Sequence, residues 1–156
     1  MRTVVIGVGN PVRGDDAVGL HVARGVRARV GVDAGCDVAE LWAGGLRLVE
    51  AISGYDRAVV VDAMAGAEPP GTLRRMTVDD LGACRNVTCV HDVSLSTALE
   101  LWRRAGVAVP ARITVFGIQA LEMSTLSERL TAPVAGAIPG AVEAVLHELA
   151  DERGGA

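Results

Sequence analysis

Three side chains carry the chemistry this sequence offers: Asp16, Asp62 and His91. Two carboxylates and an imidazole form an oxygen–nitrogen donor set that suits nickel, zinc, iron or manganese better than a thiophilic ion. Three protein ligands leave a position open for water or for a group on a partner. A cation held there would lower the pKa of a bound water or polarise a carbonyl. The same two carboxylates, if close together, could instead share a proton and activate water without a metal.

Each neighbouring residue has a plainer reading. An aspartate at a helix start is ordinarily a cap, so Asp15 is expected to cap the first helix. An aspartate ending a buried strand is different, because an unpaired buried charge is costly, and Asp62 is read as functional or backbone-bonded. A lone histidine is most simply structural, so His91 gains weight only from its company. His21 and His147 fall on helices and are read as structural or surface residues. Asp92 would cap the helix that follows it. Cys89 would share His91's side only if the extended stretch pairs regularly.

The elements that must position the trio follow from hydrophobic pattern. Val4-Val5-Ile6 opens a buried strand, and Gly7 and Gly9 allow a tight turn after it. Asn10-Pro11 breaks the chain, the acidic pair Asp15-Asp16 follows, and Val18, Val22, Val26 and Val30 mark one face of a helix. Cys36 to Trp42 alternates like a strand with one wet face. Gly44-Gly45 opens a short helix with Leu46, Val49 and Ile52 inward and Gly54 as its C-cap. Arg57 to Asp62 is a continuous apolar run ending in a carboxylate, as in a central parallel strand. A loop from Ala63 to Gly71 leads to an edge ribbon over Thr72–Thr77, a helical turn over Val78–Leu81, and an extended stretch Val87–Val90 ended by His91. Ser94 to Ala105 predicts an amphipathic helix with Leu95, Ala98, Leu99, Leu101 and Trp102 inward. Arg112 to Ile118 is another buried strand. From Leu126 the chain reads as helical, with Pro133 and Pro139 breaking it into a short lead-in and a main helix from about Pro139 to Glu152.

Strands alternating with helices predict an α/β fold: a single domain over residues 1–156, its twisted parallel-rich sheet sandwiched between helices. Asp16, Asp62 and His91 then all follow the carboxyl ends of strands or extended stretches and collect at one rim, where open α/β sheets bind ligands.

Bulk properties narrow the partners. The 156 residues are half apolar, with only one Phe, one Tyr and two Trp, so the core is mostly Val, Leu, Ile and Ala. All 15 basic residues are Arg, and the formal net charge of −4 argues against nucleic acid. No apolar run approaches the ~20 residues needed to span a bilayer, and no export signal is seen. Cys36, Cys84 and Cys89, an odd count without C-x-x-C spacing, read as reduced, mostly buried thiols of a cytoplasmic protein. Gly7-Val8-Gly9 begins like a dinucleotide fingerprint, but position 12 is Val and the acidic pair would repel a pyrophosphate. With no long apolar stripe left over, the chain is expected to be a monomer.

These segments resemble the hydrogenase maturation protease family, the endopeptidases that finish the large subunit of nickel–iron hydrogenases. The matching residues are Gly7 to Pro11 through Gly14-Asp15-Asp16 and Gly19; Val60-Val61-Asp62-Ala63 with Pro70-Gly71-Thr72; His91 with Ser94-Leu95; and Phe116-Gly117-Ile118-Gln119 with Leu126-Ser127. They span almost the whole chain in the family's order. Ala17 stands where the family usually has Gly, which is harmless at a helix start. The resemblance implies that Asp16, Asp62 and His91 fall on the family's three metal-contacting positions, with Asp16 and Asp62 as catalytic carboxylates. It also implies that the nickel is carried by the substrate, a hydrogenase large-subunit precursor, whose short C-terminal extension is removed after nickel insertion. Whether the cut is aspartic-type or metal-assisted stays open. The alternative is a binding module that recognises a metalloprotein precursor without cutting it.

Overall fold

The computed structural model describes residues 1–31, 35–42, 44–83 and 95–151. Among the described residues, five strands form one sheet: β1 (Thr3–Val8), β2 (Cys36–Leu41), β3 (Arg57–Met64), β4 (Leu73–Met76) and β5 (Arg112–Gln119), in the order β2-β1-β3-β5-β4. β1 pairs in parallel with β2 and β3, and β3 with β5; only the edge strand β4 runs antiparallel, against β5. Every residue of β1 and β3 is buried, as parallel strands covered on both faces must be.

Among the described residues, four α-helices make the covering layers: α1 (Val18–Arg29), α2 (Leu46–Ile52), α3 (Leu95–Arg104) and α4 (Ala132–Ala150). Strand alternation divides the core in two. Val5, Val59, Val61, Phe116 and Ile118 pack against Val18, Val22 and Val26 of α1 and Val134, Ala141, Val142 and Val145 of α4. Val4, Ile6, Val8, Ala58, Val60 and Val115 pack on the other face against Leu48, Val49 and Ile52 of α2 and Leu95, Ala98 and Leu99 of α3.

Several local expectations change. Leu46 is exposed and Leu48 is buried, because α2 begins at Leu46 and its inward stripe is Leu48, Val49 and Ile52. Leu101 is half exposed, since the stripe Leu95, Ala98, Leu99 and Trp102 leaves it on the opposite side of α3. Gly54 follows the C-cap Ser53 at φ 80°, the left-handed position after a helix. β3 continues through Ala63 and Met64, which pair with Ile118 and Gln119, so the expected loop starts later.

The last helix also differs. Leu126 is 80 % exposed in a loop, and α4 runs unbroken from Ala132 to Ala150 with Pro139 inside it. An interior proline costs about 3 kcal/mol. Burying Val134, Val142 and Val145 contributes roughly 1.5 kcal/mol or more each, which outweighs that cost. Pro139 itself faces solvent. Cys36 is half-buried rather than buried; Cys84, Cys89, the Val87–Val90 stretch and Asp92 lie outside the described residues.

Candidate active site

The rim at the carboxyl ends of β1, β3 and β5 is shaped first by close backbone approach. A Cβ on Gly9 would lie 2.1 Å from the Asp16 carbonyl oxygen, and one on Gly19 would lie 2.3 Å from that of Val61 and 2.5 Å from that of Val8. Glycine at these positions lets the segment after β1 press onto the sheet. That segment is a 3-10 turn, Gly14–Ala17, packed against β3 and running directly into α1. The glycines that look like a nucleotide fingerprint therefore serve packing of turn and helix on strand.

Asp16 is the third residue of this turn and is buried. Its Oδ2 accepts the Asn10 N–H at 3.0 Å, and Asn10 Oδ1 in turn accepts the Val12 N–H at 3.1 Å. The turn's carboxylate is thus tied to the loop that leaves β1. Asp62 lies on β3 with no exposed surface, and its Oδ1 accepts the Ala63 N–H at 2.8 Å. Gly7 pairs with Val61, so Asp62 stands one step further along, level with the end of β1. By alternation Asp62 shares the sheet face of Val60 and Met64, the face covered by α2 and α3. The sheet topology therefore brings the Asp16 turn and Asp62 to one rim, as the alternation of elements predicts.

His91 lies outside the described residues, four positions before Leu95 opens α3. Among the described residues no three His, Cys, Asp or Glu side chains gather as a metal site. His147 is exposed beside Asp151 on α4. His21 is half-buried on α1, where burial, and then the charge of Arg24, lower its pKa.

Asp15 is not the cap of its own helix. The 3-10 turn and α1 have no side-chain cap, and the Asp15 carboxylate reaches across the chain. It is fully buried and accepts the N–H groups of Leu121 (2.9 Å), Glu122 (3.0 Å) and Thr131 (2.7 Å), and the Thr131 hydroxyl at 2.8 Å. Asp15 N–H donates to the Glu122 carbonyl, and Gly14 N–H to that of Ser127. The loop after β5 is thereby stitched to the Asp16 turn. Sequence reading missed this because the partners lie more than 100 positions away.

Gln119 was also missed as a single residue. It ends β5, is buried, and donates its amide Nε2 to the carbonyls of Gly66 and Ala120, both at 3.1 Å.

At the opposite rim, where β3 and β5 begin, Glu148 of α4 accepts hydrogen bonds from Arg57, Arg75, Arg112 and Thr114. Burial opposes its charge, but the hydrogen bonds from Arg75, Thr114 and Arg57, with the charge of Arg75, prevail and hold its carboxyl at about 2. The run expected to be apolar thus begins with a buried arginine, Arg57, made tolerable by this partner.

The family model of hydrogenase maturation proteases matches residues 20–148 of the chain. A hydrogenase 2 maturation protease of Escherichia coli is 26 % identical over 153 residues, covering 96 % of this chain and 91 % of that protein. The hydrogenase expression/formation protein HupD of Rhizobium leguminosarum is 27 % identical over 150 residues, covering 95 % and 74 %. Among solved structures, the hydrogenase maturating endopeptidase HybD of E. coli superposes with a TM-score of 0.77 at 24 % identity, covering 97 % of this chain and 94 % of that one. HycI of Thermococcus kodakarensis gives 0.69 at 23 % identity, covering 95 % and 92 %.

Proposed function

The chain belongs to the hydrogenase maturation protease family, and from that premise we propose that it removes the C-terminal extension of a nickel–iron hydrogenase large-subunit precursor, recognising nickel that the precursor carries. The observation that supports this most is the pair of buried carboxylates, Asp16 and Asp62, on adjoining elements of one rim. Both are positioned by backbone N–H donors, from Asn10 and Ala63.

In this reading Asp16, Asp62 and His91 grip the precursor's nickel through its open coordination positions. An incomplete ligand set suits a visiting ion better than a resident one. Affinity for the loaded precursor then exceeds affinity for the empty one, and cleavage becomes conditional on the metal. The grip places the scissile peptide over a water. One of the two carboxylates takes the water's proton, or the metal lowers that water's pKa; both routes fit the donor set. The water oxygen bonds to the scissile carbonyl carbon, the C–N bond breaks and the proton passes to the leaving nitrogen, so that new carboxyl and amino termini separate and the released peptide leaves. Nickel is accordingly substrate-borne rather than a permanent cofactor. No helix of the described residues is long and apolar enough to cross a membrane, which fits a partner met in the cytoplasm, and the enzyme acts as a monomer.

The test is to incubate the protein with nickel-loaded precursor and follow the precursor's mass. Loss of a C-terminal peptide is expected from the wild type. Intact precursor, with folded protein that still binds it, would favour a non-cleaving binding module.

A further inference from the structure

A cavity of about 290 Å³ opens at the same rim, lined by Met64, Gly66, Ala67, Glu68, Arg74 and Gln119. Its position relative to Asp62 follows from strand geometry. Met64 is two residues further along β3 and on the same face, so the cavity begins about 7 Å from Asp62. An extended substrate chain advances at the same rate, so a peptide bond held over Asp62 places the residue two positions away at this cavity.

The cavity also contains an unspent polar group. Both hydrogens of the Gln119 amide face carbonyl oxygens, those of Gly66 and Ala120. That fixes the amide orientation, since an oxygen turned toward two carbonyls would be repelled. The backbone of Gln119 is fully used as well: its N–H donates to Thr72 and its carbonyl accepts from Gly71. Oε1 is left as an acceptor on the cavity wall, although the residue is 3 % exposed. An acceptor that reaches the cavity while its own amide nitrogen is held by two bonds is preorganised for a donor from outside. Met64 gives the cavity an apolar floor, and the half-exposed pair Arg74–Glu68, 3.6 Å apart, supplies a polar lip.

Building on the peptidase reading above, we propose that this cavity is a substrate subsite. It receives the precursor residue two positions from the scissile bond, with Gln119 Oε1 accepting a backbone N–H of that segment. Gly66 belongs to the same device. A Cβ there would lie 3.2 Å from Oε1, so any larger residue would crowd the acceptor.

Gly66→Ala is the discriminating variant, because Gly66 has no positive φ to strain and the fold should persist. Two probes are used: the nickel-loaded precursor, followed by mass, and a synthetic peptide of the precursor's extension with flanking residues, followed by fluorescence anisotropy. Each is also made with proline, which lacks an N–H, at single positions up to two residues either side of the cut. Gly66→Ala is expected to weaken peptide binding and raise KM about fivefold, the loss of one hydrogen bond. Proline two positions from the bond, on one side only, should cost the wild type a similar factor and Gly66→Ala nothing more. Unchanged binding and KM in Gly66→Ala, or losses that multiply independently at every position, would overturn the subsite. Cleavage without this coupling removes the subsite and keeps the peptidase; coupling in peptide binding without any cleavage does the reverse.

Discussion

Asp15 and Asp16 are chemical twins in adjacent positions, yet their surroundings give them different tasks. Asp15 accepts three N–H groups and a hydroxyl from the loop after β5. Asn in its place presents an amide nitrogen to donors and leaves buried N–H groups unmatched. We expect Asp15→Asn to lower stability by about 2 kcal/mol, measured by urea unfolding, and to reduce precursor cleavage through the displaced Asp16 turn. Asp16→Ala and Asp62→Ala should each abolish cleavage by at least a hundredfold while circular dichroism stays native. That Asp16 and Asp62 reach one rim was legible in the sequence, because one follows the turn after β1, the other lies near the end of β3, and strand ends in a parallel sheet share a rim. The role of Asp15 was not, since helix capping is a local rule and its partners come from Leu121 to Thr131. Gln119 could be quoted within a motif, but its unspent oxygen depends on Gly66, 53 positions earlier.

At the scale of elements, periodicity located the strands and the four α-helices of the described residues in outline but not the 3-10 turn Gly14–Ala17, and it failed where tertiary burial overrode a local rule. Pro139 is the clearest case: the rule against interior proline is sound, but three buried valines of α4 outweigh it. Pro139→Ala restores the missing backbone donor, and a rise in stability of about 2 kcal/mol is expected once the looser unfolded chain is set against the ~3 kcal/mol cost of the proline, readable as a higher Tm. Gly19 is the opposite case, an element junction with no slack. Its Cβ would meet backbone oxygens of both β1 and β3, so Gly19→Ala must push α1 off the rim. A loss of about 3 kcal/mol is expected in denaturant titration, with cleavage falling as Asp16 moves.

Taken whole, the molecule is a sheet with two differently charged rims. The rim where β3 and β5 begin is bolted to α4 by Glu148 and its three arginines; the rim where they end carries the two buried carboxylates proposed to act on the precursor. The bolt makes a pH prediction. Glu148 has a folded-state pKa of about 2 against an ordinary 4.5. A depressed acid stabilises the fold above its unfolded value and loses that contribution as pH falls. Roughly 2–3 kcal/mol should therefore disappear between about pH 4.5 and 2 in the wild type. Glu148→Gln should cost more at neutral pH, because Arg57 stays buried without its counter-charge, and should flatten the acid limb of a stability–pH curve. This anchor could not be read from sequence, where Arg57 looked like the edge of an apolar run and nothing local marked Glu148, 91 positions later, as its partner.

The central claim is that Asp16 and Asp62 act together on a precursor that brings its own nickel. The most direct measurement is the intact mass of the large-subunit precursor, nickel-loaded or nickel-free, after incubation with wild type, Asp16→Ala or Asp62→Ala. The account predicts loss of the C-terminal peptide in one combination only, wild type with loaded precursor. Equal trimming of the nickel-free precursor, or trimming that survives both substitutions, would contradict it.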